Sequence, residues 1–134
     1  MLNGVDMKFK ILNVMDCAVY QGKTYTYRVE VEIDAGTFML EETTKIRPED
    51  EGEILEMDLS GMGRIGEIVE DPEGIIENEG DVNEFEGKLK KIEKNSFAVD
   101  VEGHIFEIES VGIREEWPDL EKGDSVRFGA SFFL

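Results

Sequence analysis

Apolar and polar residues alternate with a period of two along most of this chain. Tyr25, Tyr27, Val29, Val31 and Ile33 fall on one side of an extended segment, and Thr24, Thr26, Arg28, Glu30 and Glu32 fall on the other. That is the pattern of a half-buried strand rich in β-branched and aromatic residues. Asp34-Ala35-Gly36 supplies a turn, and a return strand follows with Phe38 and Leu40 inward and Met39 and Glu41 outward. Upstream, Lys8 to Met15 reads as a strand, and Gln21-Gly22 as a hairpin turn. After the Pro48-Glu49-Asp50-Glu51-Gly52 loop, Leu55, Met57 and Leu59 alternate with Glu56 and Asp58. The second half repeats the plan. Phe85 to Ile92 is a strand, Lys94-Asn95 a turn, and Phe97, Val99 and Val101 alternate with Ala98, Asp100 and Glu102. Ile105 to Val111 returns, a loop holds Trp117-Pro118, and Lys122-Gly123-Asp124 turns into a last strand from Ser125 to Leu134. The pattern predicts no helix longer than a single turn, at 48–56 and 114–121.

The halves align on each other. At an offset of 68 residues, Val29, Val31 and Ile33 match Phe97, Val99 and Val101, and Phe38 and Leu40 match Phe106 and Ile108. With small shifts, Ile46-Arg47 matches Ile113-Arg114, and Gly52 matches Gly123. Alternation alone is common to any two hairpins, but the Ile-Arg pair, the acidic loop and the glycine before a closing strand add specificity. The expected fold is all-β: two related OB-like or SH3-like β-barrel units in tandem, packed together because each is too small to bury much alone. Residues 7–70 form the first unit, 71–83 an acidic linker and 84–134 the second. Gly63 to Val69 is a candidate fifth strand for the first unit. Gly61, Gly63 and Gly66 have the spacing of a nucleotide-binding glycine motif, but no helical pattern follows them, so they read as turn glycines.

Charge changes the picture most. Acidic residues number 32 against 14 basic ones, for a net charge of −18. Such a charge repels nucleic acid and anionic membranes and favours basic partners. It is densest between residues 61 and 83, where Arg64 stands alone among seven acids. The single cysteine, Cys17, allows no internal disulfide, and neither an N-terminal signal pattern nor a membrane-length apolar run is present, so a cytoplasmic location is expected.

Motifs of catalysis are missing. Cys17 and the lone His104 lie in different halves and share no local frame; one reads as core filler and the other as an exposed hairpin residue. A single cysteine and a single histidine do not make an ordinary zinc site. The acids of 71–84 lack the ligand spacing of a calcium loop, and no cofactor or metal is expected. Lys88, Lys90, Lys91 and Lys94 form the one basic cluster. It reads as protection of a sheet edge, with an OB-like nucleic-acid or small-ligand face as the alternative.

The leading expectation is a non-enzymatic acidic protein that docks on a basic surface of a partner protein, as an immunity or inhibitor protein would. An enzyme with a carboxylate-based site stands third. The expected partner-binding residues are Glu70, Asp71, Glu73, Glu77 and Glu79 for charge, with Trp117 and Phe133 as apolar contacts. Trp117 also reads as a plug for one end of a barrel. Phe132-Phe133-Leu134 puts apolar groups on both faces of the closing strand, which suggests an interface, including one between copies of the chain.

Overall fold

A computed structural model describes residues 5–76 and 83–134. The strands run β1 (Val5–Asp16), β2 (Val19–Tyr20), β3 (Lys23–Thr24), β4 (Tyr27–Ile33), β5 (Gly36–Thr43), β6 (Ile54–Ile68), β7 (Gly74–Ile76), β8 (Asn83–Ile92), β9 (Ser96–Val101), β10 (His104–Glu109) and β11 (Ser125–Phe133). Among the described residues, helical structure is confined to a 3-10 turn at Pro48–Asp50 and a single α turn, α1, at Ile113–Glu116. The protein is therefore nearly all β. Nine strands form one mixed sheet in the order β1-β4-β5-β11-β6-β10-β9-β8-β7, and β2 pairs with β3 in a separate hairpin.

Two further ladders, β1–β6 and β11–β8, close the sheet on itself. The first cycle of pairings runs β1-β4-β5-β11-β6 and back to β1. The second runs β8-β9-β10-β6-β11 and back to β8. The β6–β11 ladder belongs to both. Registers in the two cycles correspond pair for pair. Lys10↔Glu32 and Ile11↔Val31 in the first match Lys88↔Asp100 and Leu89↔Val99 in the second. The bulge between Ile11 and Asn13 has its counterpart between Leu89 and Lys91. Val31↔Phe38 matches Val99↔Phe106, and Met7↔Met57 matches Phe85↔Phe128. Even the bonds at the closing turns agree: Gly52 N–H donates to the Ile11 carbonyl and Gly123 N–H to that of Leu89, each at 2.8 Å.

The alternation predicts the core well. Val29, Val31, Leu40, Val99, Val101 and Ile108 are fully buried. Phe38 and Phe106, at matching positions, meet in the centre with ring centroids 5.9 Å apart. Phe85 and Phe132 complete the group at 5.3–5.8 Å from Phe38. Each such edge-on or tilted pair adds about 0.5–1.5 kcal/mol beyond burial. One continuous core thus serves both cycles.

Four expectations are corrected. Gly61, Gly63 and Gly66 lie within the strand β6, not in turns. Their smallness is a matter of clearance: a Cβ on Gly63 would run into the Gly129 carbonyl, and one on Gly61 would stand 2.8 Å from both Phe132 and Ile108. Gly63 to Ile68 continues β6 rather than forming a separate strand. Tyr25 precedes β4 and is half exposed instead of facing the core. Within the stretch expected as linker, Gly74–Ile76 is a strand paired with β8.

Candidate binding surface

Arg127 organises a strongly charged face. It points outward from β11, in the register Arg127↔Glu67 across to β6 and Arg127↔Glu86 across to β8. Its guanidinium donates to Glu84 at 2.6 Å and stands 3.6 Å from Glu86 and 4.0 Å from Glu67. Glu84 beside it holds the Arg127 proton even more firmly than usual. Glu86 is buried, and its other oxygen accepts from the Glu73 N–H at 3.1 Å. This satisfies a carboxylate that would otherwise be costly to bury, and it fastens the start of the acidic segment to β8.

The outer face of the β6–β11 ladder beside Arg127 is shallow because its side chains are small. Gly63, Gly66, Gly129, Ala130 and Ser131 floor an open groove of about 620 Å³, walled by Arg64, Met62, Glu67, Glu84 and Arg127. Glu70, Asp71 and Glu73 follow β6, are exposed, and form no side-chain ion pair among the described residues. Glu77 and Glu79 lie outside the described residues.

The two expected apolar contacts differ. Trp117 is half buried against the core, and its indole N–H donates to the Ile65 carbonyl at 3.2 Å. Such a residue ties the α1 turn to β6. Phe133, 40 % exposed, projects from the end of β11 opposite Ser60 of β6.

The lysine cluster spans β8 and the turn after it. Lys88, Lys90, Lys91 and Lys94 are exposed, but the neighbouring Phe85 and Phe97 are buried. Lys91 pairs with Glu93 at 2.6 Å, and Lys90 lies 3.9 Å from Asp100. Cys17 is not core filler. It is half buried, donating from Sγ to Glu42 at 3.1 Å, and this carboxylate raises the thiol pKa. A nucleophilic cysteine needs the opposite shift. Among the described residues, no three His, Cys, Asp or Glu side chains converge as a metal site would require, and no helix is long and apolar enough to cross a membrane.

The β2–β3 hairpin is the surface that sequence reasoning missed. Val19 and Tyr20 are more than half exposed, and Tyr25 and Met15 flank them at 50 % and 43 %. Lys23 sits 5.4 Å over the Tyr25 ring, a cation–π contact that holds the ring outward. Exposed tyrosines clustered on one projection are characteristic of interface anchors. The available signal was a two-residue turn at Gln21-Gly22 flanked by apolar side chains with no third strand to cover them. No family model, curated protein or solved structure gives a significant match to this chain.

Proposed function

We propose that the protein is a non-enzymatic acidic binding protein that docks on a basic surface of a partner protein. The observation that carries this reading is the state of the carboxylates around Arg127. Glu67, Glu84 and Glu86 take up the guanidinium, and Glu70, Asp71 and Glu73 remain exposed with no cation against them among the described residues. Together with a net charge of −18, this supports an electrostatic face at Glu70, Asp71 and Glu73; Glu77 and Glu79, expected to share it, lie outside the described residues. The exposed aromatics of the β2–β3 hairpin and Phe133 supply candidate apolar anchors, since charge steers association more than it holds a complex. We read the two closed cycles of pairing as two related OB- or SH3-like units that share β6 and β11; this scaffold carries no function by itself.

The test is kinetic. The Debye length falls from about 10 Å at 0.1 M salt to about 3 Å at 1 M, so a steered association rate drops steeply over that range while dissociation changes less. Changing Glu70, Asp71, Glu73, Glu77 and Glu79 to Gln or Asn slows association to a partner recovered from host lysate. Thermal stability stays level or rises, because exposed like charges repel. An association rate that ignores both salt and the five substitutions removes the electrostatic reading.

A further inference from the structure

The correspondence between the two cycles identifies a strand edge that is filled on one side of the molecule and open on the other. In β11, residues 125–130 pair with β8 along one edge, and residues 126–130 with the far half of β6 along the other. The matching residues of β6, Ile54 to Leu59, pair with β1 along one edge. Along the other, no described strand pairs with them.

The direction of the free backbone groups follows from the hydrogen bonds. The Glu53 carbonyl accepts from Ile11 of β1 at 2.9 Å. Main-chain groups alternate along a strand, so those of Ile54, Glu56 and Asp58 point away from β1. The filled side confirms the geometry: Val69 N–H donates to the Ser125 carbonyl at 2.9 Å, and Ser125 is the counterpart of Ile54. Burial shows what the missing strand would cover. Val126 and Phe128 are buried beneath the filled edge. Their counterparts Leu55 and Met57 are only half buried, and Ile54 is 70 % exposed.

We propose that the Ile54–Asp58 edge of β6 takes an added antiparallel strand from a basic partner, an extended segment in which apolar and basic residues alternate. The filled side specifies its chemistry. There, Ile68 lies opposite Val126, Glu67 opposite Arg127, Ile65 opposite Phe128 and Arg64 opposite Gly129, with Gly66 as a bulge. Transferred to the open edge, apolar residues cover Leu55 and Met57. The outward positions face Glu56 and Asp58, which calls for Lys or Arg at both. Glu56 has only a 4.0 Å contact with the exposed Lys8 to compete. Carboxylates on an edge normally guard it against pairing. Here they repel a second copy of this acidic chain while matching a basic strand, and strand addition joins main-chain bonds to alternate side-chain pockets in the usual way. The basic chemistry rests on the reading proposed above; the position of the site rests on the pairing geometry.

The probe is a labelled peptide containing Gly-Arg-Ile-Gly-Lys-Ile-Val, with neutral Ser-Gly flanks, titrated into the intact protein by fluorescence anisotropy and by amide NMR. The expected result is saturable binding with the largest amide shifts at Ile54, Glu56 and Asp58. N-methylation of the peptide's Val, which stands where Val69 does, weakens binding by about tenfold or more through loss of a main-chain bond. The variant carrying Glu56→Lys and Asp58→Lys loses the basic peptide and gains the same peptide with Glu in place of Arg and Lys. No binding at about 1 mM peptide, equal binding of the N-methylated or a scrambled peptide, or amide shifts centred elsewhere would each overturn the proposal. So would self-association of the free protein through this edge. Because these outcomes concern the edge, they are distinct from the kinetics of the five acidic residues: a salt-steered complex that leaves the β6 edge unshifted refutes this site and spares the electrostatic reading.

Discussion

Alanine at Gly63 and alanine at Gly66 have opposite consequences, although the two glycines sit three residues apart in one strand. A Cβ on Gly63 points at the backbone of β11, against the Gly129 carbonyl, 2.9 Å from Ala130 Cα and 3.0 Å from Ala130 Cβ. β11 has little room to retreat, because its other edge is bonded to β8 through Gly129↔Glu84 and Ala130↔Asn83. The clash therefore falls on main chain rather than on a flexible tip. Overpacking of this kind costs about 1–3 kcal/mol, and more where backbone must move; removing a strand glycine returns about 0.5–1 kcal/mol. The net loss for Gly63→Ala is about 2 kcal/mol. At Gly66 the nearest atom, the Arg127 carbonyl oxygen, is 3.9 Å away, and the residue is not among those with positive φ. Gly66→Ala thus stabilises by about 0.4–1 kcal/mol through the unfolded state. Urea melts measure both. With a slope of about 2 kcal/mol/M, the Gly63→Ala midpoint falls by about 1 M and that of Gly66→Ala rises slightly. A Gly63→Ala protein within about 0.5 kcal/mol of wild type, or equal losses at both sites, would refute the assignment of this ladder.

Other outcomes follow from single side chains. Asn83 is buried and acts as a clamp: its Oδ1 accepts from Met39 N–H at 2.7 Å, and its Nδ2 donates to the Met39 carbonyl at 2.8 Å and that of Ala130 at 3.1 Å. Asn83→Ala strands these groups and lowers stability by about 2–4 kcal/mol, read as a fall in urea midpoint; an unchanged midpoint would show that β5 and β8 do not need it. The Cys17 thiol has a raised pKa with Glu42 as first cause, so less thiolate is present at pH 8 and iodoacetamide reacts more slowly than with a free cysteine peptide. Glu42→Gln removes the main cause, and the rate rises; a fall or no change would contradict the pairing.

Strand identity and the core were legible in the sequence because both depend on period-two alternation, which sees only one chain segment at a time. Val31 and Val99, aligned by that alternation, lie opposite Phe38 and Phe106 in the same register, and both are fully buried. What alternation misses is the partner on a strand's other edge. Gly61-Met62-Gly63-Arg64-Ile65-Gly66 looks like turn chemistry because glycine is poor in strands. It is strand because three ladders converge on β6 and leave no room for side chains at Gly61 and Gly63. Arg127 belongs to no motif, and the carboxylates around it come from residues 41 to 60 positions away. Asn83 looked like a member of an acidic loop, whereas its three bonds reach two other strands. Of the expected partner-binding residues, Glu70, Asp71, Glu73 and Phe133 are exposed, and Trp117 is occupied with Ile65.

The departures from correspondence between the cycles carry more information than the agreement. The first begins near one end of the shared ladder, where Gly61 lies opposite Phe132, flanked by Ser60↔Phe133 and Met62↔Ser131. Since Gly52 matches Gly123, Gly61 matches Phe132, so this position is its own counterpart. Two identical large side chains would point into one space there; the ring of Phe132 fills it, and Gly61 yields, with Ile108 closing the same gap. Beyond that point β6 runs on to Ile68 and covers β11, while nothing described covers Ile54 to Asp58. The second departure is β7, which lies against β8 but has no equivalent against β1 among the described residues; just before it, Glu73 N–H bonds to Glu86 of β8 and anchors the acidic segment. The third is the β2–β3 hairpin between β1 and β4, where β8 and β9 are joined by a short turn; it exposes Tyr20 and holds Tyr25 outward. Most of the core comes from matched positions, with Ile65 added from the half of β6 that has no counterpart. Surfaces left over for partners are therefore expected where matching fails, and the open edge, the acidic segment and the aromatic hairpin each sit at one of those failures.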